Sequence, residues 1–349
     1  MPMDEEKEGG RSSALASFVT PFSWTNPGRT QSHNGWHPGE RAAQARAGVA
    51  EKMAEYGPRV LRPTMSDQHR AFFAQLPFVL VGAVDDQGRP WASVLSAEPP
   101  FAWSPDPETL RLAALPSPGD PLAAALQSGA ALGLLGIELP TRRRNRLNGR
   151  VGVVDAKGFT LFVEQSFGNC PQFIHARDYA GTLSRDNVAP VAVEPFEGLP
   201  TEAATLIVGA DTCFVASAAA PESNGRFAAV DVSHRGGMPG FLKLARDGAV
   251  DLPDYRGNYF FNTIGNLLSY PRAGLLFIDF ESGDLLQLTG EAEVIWEGDA
   301  LAAHAGAKRL CRIRPVVGRW LRRAFPLRLS FREVSPQAVA AVSRRLYSA

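Results

Sequence analysis

Residues 131–155 read ALGLLGIELPTRRRNRLNGRVGVVD, and residues 272–296 read RAGLLFIDFESGDLLQLTGEAEVIW. At an offset of 141 they align without a gap over 25 positions. Seven are identical: Gly133/Gly274, Leu134/Leu275, Leu135/Leu276, Ile137/Ile278, Leu147/Leu288, Gly149/Gly290 and Val153/Val294. Glu138/Asp279, Asn148/Thr289 and Val154/Ile295 are chemically close. A long unit occurring twice points to two copies of one domain, since a solenoid needs more repeats of a shorter unit. Two copies in one chain can build what is otherwise a homodimer, and a site between them can then exist in unequal versions.

The flanking segments run in the same order on both sides. FVLVGAV (78–84), the turn Asp85–Gly88 and RPWASVL (89–95) predict a hairpin, with Gly88 supplying the positive φ. TLRLAAL (109–115) predicts a strand and PLAAALQSG (121–129) a short helix closed by Gly129. ALGLLGIEL, a basic loop, RVGVVD and GFTLFVEQ complete the first sheet, ahead of a helix expected from Pro171. Downstream, CFVASAA (213–219), a turn at Asn224-Gly225 and RFAAVDVSH (226–234) predict a second hairpin. TIGNLLSYP (263–271) again predicts a short helix before the repeated strand pair. Two helices precede it all: Gly39 to Tyr56, ended by Gly57-Pro58, and Ser66 to Leu76 with Ser66 as N-cap.

Strand-dominated halves with one short helix between strands predict a mainly β chain with peripheral helices (α+β), built as small barrels rather than a doubly wound parallel sheet. The expected divisions are a disordered lead at 1–36, rich in Ser, Thr, Gly, Asn and Pro, and a first barrel with its helices at 37–195. A second barrel follows at 196–300, then a basic, mainly helical segment at 301–349 with one strand, LRLSFREV.

Composition narrows the classes. Hydrophobic residues make up 45% and charged residues 21% of 349 residues, ordinary for a globular protein with real cores. No segment approaches the apolar length of a membrane span, and the acidic start MPMDEEKEGG lacks the pattern of a signal peptide. Cys170, Cys213 and Cys311 are scattered, fit a reducing cytoplasm and form no metal spacing. The formal net charge of zero hides an asymmetry: residues 301–349 hold ten Arg and Lys308 against the single acid Glu333, a net of +10, leaving −10 for the rest. Such a segment reads either as a nucleic-acid surface or as a basic surface docked on the chain's own acidic body. The second reading is adopted here.

No nucleophilic triad, zinc motif or Walker-type loop occurs, and the six histidines have no ligand spacing. No catalytic side chain and no metal site is assigned; chemistry in such a chain falls to a bound cofactor. Three segments stand out. DVSHRGGMPGF (231–241) ends a strand in Ser233, His234 and Arg235 and enters a glycine-rich turn, which is a phosphate cradle or an ordinary loop. GNYFFNTIGNLL (257–268) crowds Asn258, Asn262, Thr263 and Asn266 at a helix start, where free amides favour an anion unless Asn262 or Thr263 merely caps. EQSFGNCPQFI (164–174) carries Gln165, Ser166 and Asn169, with Asn169 or Cys170 as a cap ahead of Pro171.

The second repeat resembles the FMN-binding split barrel of the pyridoxamine 5′-phosphate oxidase superfamily. The likeness rests on the Gly225 to Arg235 strand, the polar helix start, the Pro271-x-Ala273-x-Leu275-Leu276-Phe277 strand and the Leu288 to Ala292 strand. QLPFVLVGAVDDQGRPWASVL, LGLLGIELPTRRRNRLNGR and QSFGNCPQFI are similar to bacterial flavin-nucleotide-binding members. The resemblance implies two split barrels in tandem as a pseudo-dimer with FMN between them. Arg235 then takes the phosphate, together with Ser233, His234, Asn258, Asn262, Thr263 and Asn266, and Gln165, Ser166 and Asn169 come from the other barrel. Asn262 and Thr263 stand where vitamin-oxidising members carry Arg and Lys, and Glu98 is expected at the first barrel's equivalent of Arg235. Arg142–Arg146 reads as a hairpin turn that either lands an anion such as a phosphorylated nicotinamide or is merely solvated.

The expected function is a cytoplasmic FMN-dependent oxidoreductase with a small-molecule substrate or NAD(P)H as electron donor. Neither a membrane nor a nucleic acid is expected as partner, and a homodimer is open. The alternatives are a non-catalytic flavin sensor, or a deazaflavin- or haem-binding split barrel.

Overall fold

Two antiparallel sheets, laid out in the same strand order, form the body of this computed structural model, which describes residues 35–182 and 191–346. The N-terminal half contains α1 (Pro38–Arg46), α2 (Ala50–Val60), α3 (Asp67–Ala74), β1 (Phe78–Val84), β2 (Pro90–Ser96), β3 (Ala102–Asp106), β4 (Thr109–Leu112) and α4 (Leu122–Ala125). It continues through β5 (Ala131–Glu138), β6 (Arg143–Asp155), β7 (Gly158–Gly168) and β8 (Ala176–Thr182). The C-terminal half begins with β9 (Ala192–Glu197), α5 (Thr201–Gly209), β10 (Thr212–Ala218), β11 (Val230–Gly236), β12 (Lys243–Leu244) and β13 (Val250–Asp254). It ends with α6 (Asn262–Ser269), β14 (Arg272–Ile278), β15 (Leu285–Ile295), α7 (Asp299–Ala302), β16 (Arg309–Arg322), β17 (Leu327–Glu333) and α8 (Pro336–Leu346).

The first sheet runs β2-β1-β5-β6-β7-β4-β3 and the second β11-β10-β14-β15-β16-β13-β12. Their registers agree residue for residue over the repeat. Gly133 faces Asn148 and Leu134 faces Leu147 in one; Gly274 faces Thr289 and Leu275 faces Leu288 in the other. A β-bulge falls at Asn148/Gly149 and again at Thr289/Gly290. Glycine is required there because a Cβ at Gly149 would strike the Phe162 carbonyl, and one at Gly290 the Arg314 carbonyl.

Burial on both faces explains why β1, β5, β10 and β14 read as near-continuous apolar runs. Val79, Val81 and Leu134 belong to a core packed on the first sheet, and Val215, Leu275 and Leu288 to one packed on the second. The alternate residues Phe78, Leu80, Leu135, Phe214, Val232 and Leu276 form a third core where the two sheets meet. Each such side chain contributes about 1.5–3 kcal/mol on full burial.

Several expectations are corrected. The helix expected from Gly39 to Tyr56 is broken at Gly48, whose φ is +69°, and α2 continues through Gly57-Pro58 to Val60. The lead expected at 1–36 lies outside the described residues up to 34; Trp36 is packed among Met53, Phe167 and Phe260. Arg143 to Arg146 belong to strand β6 rather than a turn, extending the hairpin to pair with Leu135–Glu138. No helix starts at Pro171; the chain turns there, with Phe173 at φ +64°. The C-terminal segment is not mainly helical. Its β16, 14 residues long, lies between β15 and β13, so the second sheet runs well past residue 300. The halves also interleave, since β8 of the first pairs with β17 of the second. Glu98 is exposed beyond β2; the register puts Leu95 where Arg235 stands. Among the described residues no helix is long and apolar enough to cross a membrane.

Candidate functional site

A cavity of about 130 Å³ opens where the end of β11, the start of α6 and the β6–β7 edge of the first sheet converge. Strand periodicity brings the first sheet into it: Arg144 and Arg146 lie two apart on β6 and both line the cavity. The same face continues across β11. Arg146 Nη1 donates to Asp231 Oδ1 at 2.9 Å and Nη2 to the Val232 carbonyl at 3.0 Å and Ser233 Oγ at 2.6 Å. Asn148 Nδ2 donates to Asp231 at 2.8 Å, and Arg150 donates to the Phe227 and Ala228 carbonyls. These bonds tie the two sheets together at the floor of the site.

The cavity wall is cationic. Arg144, Arg146, Arg235, Arg256 and Arg309 line it, with Asp254 as the carboxylate among them. Asp254 pairs with Arg235 at 3.4 Å and Arg309 at 3.1 Å. Burial, then the like charges of Arg146 and Arg235, push the pKa of Arg144 down to about 9. A guanidinium crowded this way keeps its proton and gains from an anion.

Unpaired donors are concentrated here. Arg146 Nε and Arg235 Nε are buried without partners, as is His234 Nε2. Burial and Arg144 hold the His234 pKa well below its usual value, so the ring is neutral. Its Nδ1 lies 3.4 Å from Arg144 Nη1, which can only donate, so Nδ1 accepts and the proton is assigned to Nε2. Ser233 Oγ receives Arg146 and also Thr263 Oγ1 at 3.1 Å, leaving its own proton for an acceptor. Helix α6 begins after Phe261, which offers no side-chain cap, so its first amides are free for an anion.

Backbone strain gathers at the same place. Phe173, Tyr259 and Phe261 have φ of +64°, +62° and +63° and all line the cavity. Left-handed non-glycine residues cost on the order of 1–3 kcal/mol each and persist where surroundings over-determine them. Phe173 stacks on Tyr255 with ring centroids 4.8 Å apart.

Of the expected site residues, Ser233, His234, Arg235, Asn258, Asn262, Thr263 and Asn169 come together around this cavity. The other three do not. Asn266 is fully buried beneath it, bonding Ser217 and Asp231 at 3.0 Å each. Ser166 is buried against His69, 2.8 Å away, and Gln165 pairs with Asn148 across β6–β7 without lining the cavity. Neither Asn262 nor Thr263 caps the helix; Asn262 Nδ2 donates to Glu40 Oε1 at 2.6 Å instead. The glycine-rich turn is not a cradle, because the amides of Gly237, Gly240 and Phe241 bond Asp211, Val208 and Met238. Sequence reasoning missed Asp254, Tyr255, Arg256 and Arg309. An i, i+2 reading of RRRNR as strand would have singled out Arg144 and Arg146.

Residues 65–191 match the pyridoxamine 5′-phosphate oxidase family. No curated protein matches the sequence. Among solved structures, HupZ of Group A Streptococcus is similar at 17% identity over 34% of this chain and 91% of its own, with a TM-score of 0.27. General stress protein 26 of Bacillus anthracis is similar at 14% identity over 35% and 96%, TM-score 0.22. The conserved hypothetical protein Rv2991 of Mycobacterium tuberculosis is similar at 14% over 43% and 90%, TM-score 0.22.

Proposed function

Residues 65–191 belong to a split barrel of the pyridoxamine 5′-phosphate oxidase family, and from that premise we propose that the chain is an FMN-binding oxidoreductase. The second sheet is read as a second copy of the barrel, and the flavin phosphate as held in the cavity between the two. The observation that carries this reading is that Arg146, Arg235 and His234, each with a buried, partnerless donor, line one cavity beside an uncapped helix start.

The donor set fits the phosphate end of the group. Ser233, Arg235, His234 and the first amides of α6 would hold the phosphate, with Arg144 and Arg146 supplying charge from the other barrel. The cavity is smaller than the ~300–1,000 Å³ of a complete small-molecule site, so it would hold only the phosphate end of the group. Bound flavin supplies two-electron redox chemistry. In this reading the chain's own residues would bind and orient the group; the free thiol of Cys170 also lines the cavity. A passive flavin binder would use the same contacts.

Titration of the apo-protein with FMN tests the reading, with the expected outcome a flavin absorption spectrum and saturable binding. Arg235→Ala removes a charge-assisted contact worth roughly 1.5–3 kcal/mol, so affinity should fall about ten- to a hundredfold. Glu98→Ala, exposed and away from the cavity, should leave it unchanged. Equal affinities in all three proteins, or no flavin binding, would overturn the assignment. Anaerobic mixing of the flavin-loaded protein with NADH and NADPH then separates a reductase from a passive binder.

A further inference from the structure

The cavity has a counterpart in the first barrel. The registers of β1–β2 with β5 and of β10–β11 with β14 place Ala92 where Val232 stands and Ser93 where Ser233 stands. Those of β5–β6 and β14–β15 place Gln287 at the position of Arg146 and Leu285 at that of Arg144. Hydrogen bonds follow the register. Arg146 Nη2 donates to the Val232 carbonyl and Ser233 Oγ; Gln287 Nε2 donates to the Ala92 carbonyl and Ser93 Oγ, each at 3.0 Å.

What lies beyond the serine differs. At Ser233 there are the Thr263 hydroxyl, which donates to Ser233 Oγ at 3.1 Å, and the cavity. At Ser93 there is a carboxylate: Ser93 Oγ donates to Asp120 Oδ1 at 2.6 Å, the Leu122 amide donates to the same oxygen at 2.9 Å, and Gln287 Nε2 donates to Oδ2 at 3.2 Å. Asp120 is 3% exposed and forms no salt bridge among the described residues. A buried carboxylate without a cation is costly unless its oxygens are well supplied with donors. Burial pushes the Asp120 pKa up, while its hydrogen-bond donors and the charge of Arg319 act against that rise. Leu95, Leu285 and Gln287 replace Arg235, Arg144 and Arg146, so three guanidinium groups of the other cavity have no counterpart beside Asp120, whereas Arg146 there is paired with the internal carboxylate of Asp231.

We infer that Asp120 is a built-in oxyanion, filling in the first barrel the position that a small anionic group takes in the second. The chain therefore has one open anion site and one closed by its own side chain. The ligand class of the open site rests on the reading given above; the closure by Asp120 is tested without any flavin.

Thermal unfolding of the wild type, Asp120→Ala and Asp120→Ser is followed in sodium formate, acetate and inorganic phosphate, with chloride at matched ionic strength. Asp120→Ser retains an acceptor for the Leu122 amide, so it carries the test if the alanine variant does not fold. Both variants should melt below the wild type in chloride. Formate should raise their Tm by ~2–4 °C more than it raises the wild type's, a shift of the size that ligand binding to a vacated site produces in a chain this long. Acetate or phosphate acting in place of formate would support the same closure and report the room available. Equal shifts in variants and wild type for every anion would overturn it. Flavin binding by the wild type is scored separately, so loss of the cofactor reading and loss of this one are distinguishable.

Discussion

Glu40 brings a carboxyl into the contact between α1 and α6, where it is 4% exposed. Its Oε1 accepts from Asn262 Nδ2 at 2.6 Å and its Oε2 from the His37 amide at 3.0 Å. Burial, then the nearby Asp231 charge, push its pKa up to about 8. In the unfolded chain the group titrates near 4.5, so between those values the folded state holds a proton that the unfolded state has released. The associated stability is fully present below the unfolded pKa and is lost as pH rises through about 8, with a slope of at most ~1.4 kcal/mol per pH unit. Urea unfolding at pH 6 and pH 9 should show this loss in the wild type. In Glu40→Gln, where rotation of the Asn262 amide restores an acceptor, the difference should shrink; an unchanged pH dependence would assign the loss to another group. Because Asn262 opens the helix that faces the cavity, this proton sits one contact away from the site.

At the scale of elements, the repeated glycines have separate reasons. Gly133 on β5 lies over β11, and an added Cβ there would come 2.5 Å from the Val230 carbonyl oxygen. Gly274 on β14 lies over β2 in the same way, where a Cβ would overlap the Pro90 carbonyl. These are the places where one sheet's backbone rests directly on the other's. Alanine at either position forces the sheets apart, so Gly133→Ala and Gly274→Ala should each cost about 1–3 kcal/mol, the usual range for overpacking. Chemical denaturation measures it. Near-zero effects at both would show that the sheets do not approach this closely. Gly149 and Gly290 answer to the bulge within each sheet instead, and Leu134, Leu147, Leu275 and Leu288 to the barrel cores.

Over the whole molecule, the charge asymmetry is resolved by the fold. Arg309 meets Asp254, and Arg312 meets Asp251 through two bonds at 2.7 and 2.8 Å. Arg314 meets Asp247 and Glu293; Arg322 meets Glu194, Glu202 and Asp284. Each exposed pair contributes little to stability, yet together they engage four of the eleven cations of residues 301–349 with carboxylates from earlier in the chain. Fluorescence anisotropy with duplex DNA should therefore show weak, sequence-independent binding that disappears by ~200 mM salt. Tight, sequence-selective binding at that salt would mean these arginines exchange their carboxylates for phosphates.

The sequence by itself determined β1, β2, β4 to β7, β10, β11, β14, β15, β17 and the repeated pair, because a buried strand's apolar run and a glycine with positive φ are local signals; β3, β8, β9, β12, β13 and β16 were not read from it. The family resemblance, rather than proximity along the chain, grouped Ser233, His234 and Arg235 with Asn262 and Thr263, since β12 and β13 lie between that strand end and that helix start. Only the tertiary structure decided which partners they meet. Arg144 and Arg146 arrive from a strand some ninety residues earlier, as the 87-residue separation of Arg146 and Ser233 makes plain. Arg309 comes from β16, a strand concealed in a basic segment that reads as helix, because its alternation is masked by arginines whose partners lie elsewhere. Asp120 likewise has no local signature; its donors Ser93 and Gln287 are separated by 194 residues and come together only where the two sheets pack. Periodicity writes each element into the chain, but a charge is read only against the neighbour that packing brings to it.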